Sequence, residues 1–281
     1  MSNIKKFKFK NSDKKYFIIF LVLVASLSLT ACGNNSSEKK SNAQPLKIGV
    51  TAGPHAEIME VVKKEAEKNG LKITVVEFND YIQPNVALSQ GDIDVNSFQH
   101  KPYMDYIVKD RKYDLHSVAN TVIFPMGLYS KKITDLKNIP ENAVVGIPND
   151  PTNGARGLLL LEKIGLIKLK EGTGIKASPA DIIANPKNIK IKELDAAIIP
   201  RSLTDLDLAA VNTNYAMPAG LNPAKDALFL EDSNSPYVNI IATSGKTKND
   251  PRVQELIKAY HSPEVKKFIE TKYQKSIIAA W

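Results

Sequence analysis

Apolar and polar positions alternate along the chain after residue 45 in patterns that define short elements. Leu46–Thr51 alternates apolar and polar residues, which is typical of a β-strand. From about His55 the apolar residues recur at helical spacing, and Asn69-Gly70 provides a helix-end signal. Leu71–Phe78 predicts the next strand. A strand, a helix and a second strand in this order indicate a parallel sheet with a crossover helix.

The same pattern continues to residue 124 and restarts at residue 143. Further helices are predicted at 84–90, 102–109, 157–164, 251–260 and 263–273, and further strands at 93–95, 115–124, 143–147, 189–194, 206–211 and 238–243. Extended segments at 124–130 and 235–237 are candidate crossings between two α/β units. Two crossings would let two lobes hinge about a cleft. We therefore predict one lobe from residues 46–125 with 236–281, and a second lobe from residues 126–235.

The N-terminal residues predict an export signal. Lysines precede an apolar run, Tyr16–Leu29, of about 14 residues, whereas a membrane-spanning helix needs roughly 20. The run ends in Leu29-Thr30-Ala31-Cys32, which resembles the lipobox of bacterial lipoproteins. That resemblance implies removal of residues 1–31 and acylation, including palmitoylation, of Cys32; ordinary secretion with an incidental cysteine is the alternative. Residues 32–45 then form a polar, flexible tether, or alternatively an ordered arm.

Charge and cysteine content exclude several kinds of protein. The whole chain has a net charge of +8, but residues 1–31 hold six lysines and one aspartate, so the remainder carries only +3. We therefore expect no nucleic-acid binding. Cys32 is the single cysteine, so its acylation would leave no thiol for disulfides, catalysis or metal binding.

No enzyme motif is complete. A Gly-x-Ser-x-Gly elbow is absent, and Gly172-Thr173-Gly174 lacks the rest of a dinucleotide fingerprint. The aspartate pairs at 92/94 and 205/207 have no histidine or glutamate at ligand spacing, so we expect no metal and no cofactor. His55 lies at a predicted helix start and could face a cleft, although a purely structural role is favoured over that one.

Two segments follow strands and open helices, the edge at which α/β sheets bind ligands. The first, residues 96–103, contains Phe98, His100 and Tyr103, and Tyr81 lies in a similar loop after an earlier strand. Aromatic rings here could wall a pocket for an apolar side chain and contact a thioether sulfur. The alternative is that Phe98 and Tyr103 cap the core.

The second segment, residues 148–156, places free backbone N–H groups and Arg156 at a helix start, where a carboxylate could accept a two-pronged bond. An ordinary capped helix with a surface arginine is the alternative. Asn212 and Asn214 follow a predicted strand, and Asn239 lies in the return strand. Amides donate and accept, so they suit both ends of a free amino acid, although Asn214 could simply shape a turn.

Several runs across residues 46–281 resemble the NlpA/MetQ family of methionine-binding lipoproteins of ABC importers. The matching runs are FNDY (78–81), GDID (91–94), FQHKPY (98–103), PNDPTN (148–153), NPKN (185–188), PRSL (200–203) and SPYVN (235–239). The resemblance implies a type II periplasmic-binding-protein fold, with a mixed sheet flanked by helices in each lobe. One departure is Gly154-Ala155, where a larger residue is usual.

The family further implies capture of methionine for a membrane permease and its ATPase, without catalysis. Arg156 would hold the carboxylate, and Asn212 and Asn239 the amino-acid backbone. The remaining expected ligand-binding residues are Tyr81, Phe98, His100, Tyr103 and Asn153. A monomer anchored by lipid on the outer side of the cytoplasmic membrane is expected. Rival hypotheses are a Gly-Met dipeptide or another amino acid as cargo, an enzyme using His100 as a general base, and a surface adhesin.

Overall fold

A computed structural model describes residues 44–281. The predicted signal at 1–31, the acylation site Cys32 and all but the last two residues of the predicted tether lie outside the described residues. Between residues 44 and 281, no helix combines the length and apolar character needed to cross a bilayer.

Residues 46–123 form four strands and three helices. These are β1 (Leu46–Thr51), α1 (Pro54–Lys68), β2 (Ile73–Phe78), α2 (Gln83–Gln90), β3 (Val95–Asn96), α3 (Lys101–Arg111) and β4 (Leu115–Ile123). All three helices have a proline in their first turn, where the missing N–H costs no hydrogen bond.

Residues 127–230 form the second set of elements. These are β5 (Gly127–Tyr129), β6 (Val144–Pro148), α4 (Pro151–Lys163), β7 (Lys168–Leu169), β8 (Ile182–Ala184), β9 (Lys190–Leu194), β10 (Leu208–Val211), α5 (Thr213–Ala216), α6 (Pro223–Asp226) and β11 (Phe229–Leu230), with 3₁₀ turns at Leu136–Asn138, Gly174–Lys176, Pro179–Asp181, Ile199–Thr204 and Met217–Ala219. The chain ends with β12 (Val238–Ser244), α7 (Pro251–Tyr260), α8 (Pro263–Tyr273) and β13 (Ile278–Ala279).

Two mixed sheets organise these elements. The first has the order β13-β4-β12-β3-β1-β2, in which β1 runs parallel to β2 and β3 while β12 runs antiparallel to β3 and β4. The second has the order β11-β5-β10-β6-β9, in which β6 runs parallel to β9 and β10 while β5 is antiparallel to β10. We call the first sheet with its helices the first lobe, and the second sheet with its helices the second lobe.

The chain passes between the sheets twice, at residues 124–126 and at residues 231–237. We call these the first and second crossing segments. The strands on either side of each segment belong to different sheets, and the lobe boundaries at 125/126 and 235/236 remain predictions. Each lobe has its own buried core. Ile48, Ile58 and Ile241 belong to the core of the first lobe, and Ile147 and Leu161 to that of the second.

The largest difference from the sequence prediction is the start of α4; the strands β2, β3 and β10 each begin two residues later than predicted, and α3 ends two residues later. The helix predicted at 157–164 begins at Pro151, because the Asp150 side chain accepts the Asn153 N–H and caps the helix. Two glycines near the predicted start weaken the helical signal, but a Cβ at Gly154 would lie only 2.8 Å from the Pro148 carbonyl oxygen, so close backbone packing explains that glycine. Arg156 therefore lies within the second turn of α4 and not in a loop.

Candidate functional site

A small cavity lies where the two lobes meet, and residues of both lobes line it. All eight ligand-binding residues predicted from the sequence line it, namely Tyr81, Phe98, His100, Tyr103, Asn153, Arg156, Asn212 and Asn239. Four further residues complete the wall, namely His55, Gln99, Phe124 and Asn214. The topology thus brings together side chains that are up to 184 positions apart in the chain, as in the contact between His55 and Asn239.

An aromatic wall lies on the side of the first lobe. The ring centroid of Tyr81 lies 6.0 Å from those of both Phe98 and Tyr103, and the latter two are 6.4 Å apart. The Tyr103 hydroxyl donates to the Tyr81 carbonyl oxygen at 3.0 Å, which fixes the two loops against each other. Burial raises the pKa of both tyrosines, so both hydroxyls stay protonated. The wall is therefore apolar, rigid and uncharged.

Three buried amides hold the loop that carries Phe98. Gln99 Nε2 donates to Asn85 Oδ1 at 2.7 Å and to Asn96 Oδ1 at 3.0 Å, and Asn85 Nδ2 donates back to Gln99 Oε1 at 2.8 Å. Each amide supplies both donors and acceptors, so the cluster satisfies itself without a charge. The cluster ties the end of β3 to α2 and so fixes where Phe98 and His100 point.

His100 caps α3 and reaches across to the second lobe. Its Nδ1 accepts the Tyr103 backbone N–H at 3.1 Å, so the proton of the neutral ring lies on Nε2, which donates to Asn153 Oδ1 at 3.1 Å. Burial, reinforced by the positive charge of Arg156, lowers the pKa of His100 to about 3. Both ring nitrogens are therefore engaged, and the ring is a neutral donor.

His55 orients Asn239 in the same way within the first lobe. The Thr51 hydroxyl donates to His55 Nδ1 at 2.7 Å, and His55 Nε2 donates to Asn239 Oδ1 at 3.2 Å. Burial lowers the pKa of His55 to about 4, outweighing the opposing bond to Asn239. The ring also lies against Phe124, with 4.4 Å between centroids. The sequence-based expectation that His55 could face a cleft agrees with this position.

The cap of α4 fixes the orientation of Asn153. Asn153 Nδ2 donates to both carboxylate oxygens of Asp150, at 3.1 and 2.9 Å. Its Oδ1 is thereby aimed at the first lobe, where it accepts from His100, and it also accepts from Asn212 Nδ2 at 2.8 Å. Burial raises the pKa of Asp150, although the bonds from Asn153 and Thr152 oppose that shift.

Arg156 is almost fully buried and its guanidinium is held on three sides. Nε donates to Glu231 Oε1 at 3.0 Å, while Nη2 donates to Glu231 Oε2 and, at 2.8 Å, to the Phe124 carbonyl oxygen. The ring of Tyr237 lies 4.4 Å from the guanidinium carbon. The sequence predicts a two-pronged bond from Arg156 to a ligand carboxylate, but Glu231 occupies that fork in this arrangement.

The two lobes touch through side chains at the cavity. Besides the His100–Asn153 bond, the Tyr81 hydroxyl donates to Asn214 Oδ1 at 2.6 Å, and the rings of Tyr81 and Tyr215 lie 4.9 Å apart. Asn214 therefore spans the cleft and does more than shape a turn. These contacts describe a closed arrangement of the lobes.

Three buried polar atoms around the cavity make no hydrogen bond within residues 44–281, namely Asn212 Oδ1, Asn214 Nδ2 and the Tyr237 hydroxyl oxygen. A buried polar group without a partner is costly, so in native proteins such an atom pairs with ordered water, an ion or a bound ligand. The acceptor and the donor suit a ligand that both donates and accepts hydrogen bonds.

The rival functions fit this geometry less well. A general base needs a free lone pair, but His100 uses one nitrogen to accept from Tyr103 and the other to donate to Asn153. The part of the chain that the structure describes holds no group of three or more His, Cys, Asp or Glu residues placed to bind a metal ion. A surface adhesin would need no cavity lined by two lobes, whereas this chain has one.

Sequence reasoning missed Glu231, Tyr237 and Phe124. All three lie in or beside the crossing segments, which carry no hydrophobic periodicity. Glu231 pairs with Arg156, which lies 75 positions away in the chain. Residues so far apart show no periodic spacing from which their contact could be predicted. The only available signal was the extended character of the crossings, which already predicted that both pass close to the cleft.

Comparison with known proteins identifies close relatives of this chain. A model of the NlpA lipoprotein family matches residues 46–281. The D-methionine-binding lipoprotein MetQ of Salmonella typhimurium is 47% identical over 278 residues, which cover 98% of this chain and 99% of that protein. Outer membrane lipoprotein 3 of Mannheimia haemolytica is 43% identical over 261 residues, covering 92% and 97%.

Solved structures agree with these sequence matches. A nutrient-binding protein from Burkholderia cenocepacia bound to methionine is 52% identical, with a TM-score of 0.82 over 84% of this chain and 100% of that one. A periplasmic substrate-binding protein of an ABC transporter from Coxiella burnetii is 48% identical, with a TM-score of 0.81 over 84% and 100%. The predicted α/β periplasmic-binding-protein fold is confirmed.

Proposed function

We propose that this chain, which belongs to the NlpA lipoprotein family, captures methionine between its two lobes and presents it to an ABC importer. The methionine named in the descriptions of its relatives supports this ligand. The observation that carries the proposal is the cavity itself, which combines a buried guanidinium, unpaired amide atoms and an aromatic wall. The protein binds and releases its ligand without making or breaking a covalent bond.

The carboxylate of the ligand would lie against Arg156. Glu231 and Phe124 use the Nε and Nη2 hydrogens, while Nη1 makes no hydrogen bond to any residue between 44 and 281. A guanidinium has five N–H donors, so the two on Nη1 remain for a ligand. A charge-assisted bond of this kind, formed away from water, supplies much of the affinity for an amino acid.

The ammonium group would be held by amide oxygens. Asn212 Oδ1 is buried and without a partner among residues 44–281, so it can accept from an ammonium. Asn239 adds a second amide, whose orientation His55 fixes. Because His55 and His100 are neutral at physiological pH, neither repels the positive end of the ligand.

The aromatic wall suits the methionine side chain. Tyr81, Phe98 and Tyr103 surround one end of the cavity with rings about 6 Å apart. A thioether sulfur makes favourable contacts with aromatic rings at about 5 Å, and its polarisability adapts to irregular space. The same wall lacks a charged group, which disfavours acidic and basic amino acids.

Ligand binding would drive closure because the contacts are divided between lobes. A ligand stabilises the closed state only by as much as it binds that state better than the open one. The aromatic wall and Asn239 belong to the first lobe, whereas Asn153, Arg156 and Asn212 belong to the second. In the open protein a ligand contacts the residues of only one lobe. The contacts that it gains with the other lobe on closure make the closed state the more stable one when ligand is bound.

The delivery route follows from the anchor and the family. We propose that Cys32 is acylated after removal of residues 1–31, and that residues 32–45 tether a monomeric body to the outer side of the cytoplasmic membrane. The permease and its ATPase would take methionine from the closed form. Metabolic labelling with a palmitate analogue, in the wild type and in Cys32→Ser, tests the anchor.

Mass spectrometry of the ligand that co-purifies with the recombinant protein tests the cargo. We expect methionine, released on unfolding in about one equivalent, and calorimetric rebinding to the refolded protein with both L- and D-methionine as titrants. A Gly-Met dipeptide or a different amino acid in the released fraction would replace methionine as the cargo while keeping the transport role. Turnover of a methionyl substrate that is lost in His100→Gln would contradict the transport role.

A further inference from the structure

The guanidinium of Arg156 is held by the crossing segments and not by its own lobe. Arg156 lies on α4 of the second lobe, yet its partners are the Phe124 carbonyl at the first crossing, Glu231 at the start of the second and the Tyr237 ring at its end. The side chain of Arg156 is 3% exposed and that of Glu231 is 11% exposed. This ion pair is therefore shielded from solvent screening, unlike the surface pairs.

Each of the two Glu231 carboxylate oxygens accepts two hydrogen bonds. Oε1 accepts from Arg156 Nε at 3.0 Å and from the Ser235 hydroxyl at 3.3 Å, while Oε2 accepts from Arg156 Nη2 and from the Met126 N–H at 3.2 Å. The Glu231 backbone N–H also donates to the Met126 carbonyl at 2.9 Å. Glu231 thus joins both crossing segments and fixes one edge of the guanidinium.

This arrangement determines which edge of Arg156 can meet a ligand. Glu231 and Phe124 consume three of the five N–H donors, all on Nε and Nη2. The guanidinium is planar, so fixing the Nε–Nη2 edge also fixes the direction of the two Nη1 hydrogens. Arg156 lines the cavity, and its unused donors are those of Nη1.

We propose that Glu231 is a positioning residue that orients Arg156 so that Nη1 receives the carboxylate of the ligand. This role rests on the proposed function, in which the ligand is an amino acid with a free carboxylate. Glu231 does not line the cavity, so it meets a ligand there only through Arg156. The pair also keeps the buried guanidinium electrically compensated when no ligand is bound.

The test compares two ligands in four proteins. The ligands are methionine and methioninamide, which differ only in the carboxylate. The proteins are the wild type, Glu231→Gln, Glu231→Asp and the control Asp207→Asn. Asp207 is a partly buried second-lobe carboxylate that pairs with Lys132 and the Val144 N–H and does not line the cavity. Calorimetry gives the ratio of the two dissociation constants for each protein.

A positioning role predicts that the preference for methionine over methioninamide falls at least about tenfold in both Glu231 variants, the size of one charge-assisted hydrogen bond. In Glu231→Gln, the glutamine NH₂ group faces one of the Arg156 donors, Nε or Nη2, and cannot accept from it. In Glu231→Asp, the shorter side chain cannot reach both Nε and Nη2. Each change lets the guanidinium turn, so Nη1 no longer points at the ligand. Asp207→Asn should keep the wild-type ratio. Should Glu231→Gln fail to fold, Glu231→Asp decides alone.

Three results would overturn the role. Both affinities could stay at their wild-type values in both variants, both ligands could weaken by the same factor, or Glu231→Asp alone could keep the full ratio. The second outcome would mean that Glu231 only stabilises the fold, and the third that its charge matters but its geometry does not. Failure of the wild type to bind methionine would be seen first and would contradict the proposed function itself.

Discussion

His100 in the first lobe and Asn153 in the second are joined across the cleft by a 3.1 Å hydrogen bond from Nε2 to Oδ1. Each residue is oriented from behind by its own helix start, His100 by the Tyr103 N–H and Asn153 by the Asp150 carboxylate. The loop between β3 and α3 and the loop between β6 and α4 therefore contact each other across the cleft. Both lie at sheet edges of the kind that bind ligands. This bond forms at only one relative position of the two loops, so it defines the geometry of the closed arrangement.

Loss of the Asn153 amide should weaken both folding and binding. Asn153→Ala leaves the buried Nε2–H of His100 and an N–H of Asn212 unpaired, which costs about 1–3 kcal/mol of unfolding free energy. Urea unfolding measures the loss, and methionine affinity should fall in parallel. Asn149→Ala is the matched control, because this exposed residue lies in the same loop. Equal stability of the two variants would contradict the bridging role.

Arg156 should dominate the affinity for the carboxylate. Arg156→Ala removes the only buried cation lining the cavity within residues 44–281, so we expect methionine affinity to fall about 100-fold or more in calorimetry. Arg111→Ala, at the exposed end of α3, should bind like the wild type. An Arg156→Ala protein that folds and binds methionine with unchanged affinity would remove Arg156 from the site.

Acid should destabilise the protein through its two buried histidines. The pKa values of His55 and His100 are lowered from 6.5 to about 4 and about 3, so below pH 6.5 the unfolded chain binds protons that the folded chain does not. Their stabilising contribution is complete above pH 6.5 and is lost as the pH falls toward 4, by up to about 1.4 kcal/mol per pH unit for each ring. Asp150, whose pKa is raised, opposes this trend.

Urea unfolding between pH 7.5 and 4.5 measures this dependence. His100→Gln should show a shallower fall of unfolding free energy with pH than the wild type, because one of the two buried rings is gone. Parallel curves for the two proteins would show that His100 does not contribute to the acid sensitivity.

The Tyr81 hydroxyl should favour the closed state. Its bond to Asn214 Oδ1 forms only when the lobes meet, and burial keeps the hydroxyl protonated by raising its pKa. Tyr81→Phe keeps the ring but loses this bond, about 1 kcal/mol, so methionine affinity should fall roughly fivefold. Tyr113→Phe, outside the cavity, is the control. Small-angle scattering should show a larger open fraction for Tyr81→Phe at low ligand concentration.

Local signals account for what the sequence predicted well. The predicted helices at 251–260 and 263–273 match α7 and α8, because Asp250-Pro251 and Ser262-Pro263 supply a capping side chain followed by a proline. The predicted strands at 46–51 and 143–147 likewise match β1 and β6 within one residue. The family resemblance is confirmed by the comparisons; the positions of the site residues after strands singled most of them out, and the resemblance supplied their expected roles.

A local effect and a long-range pairing account for what was missed. The start of α4 was wrong by six residues, because Gly154 and Gly157 obscured a helix that Asp150 caps. Glu231 was missed because nothing local distinguishes it from a solvated acid, and only the fold brings it to Arg156. The roles of the eight predicted site residues remain predictions, although all eight line one cavity.

The most direct measurement is a crystal structure of unlabelled protein with selenomethionine as the added ligand, using the anomalous signal of selenium. We predict one strong anomalous peak inside the cavity, about 5 Å from the rings of Tyr81, Phe98 and Tyr103, with the ligand carboxylate on Arg156. A selenium peak on the outer surface, or none in crystals soaked at saturating concentration, would show that the cavity does not capture methionine.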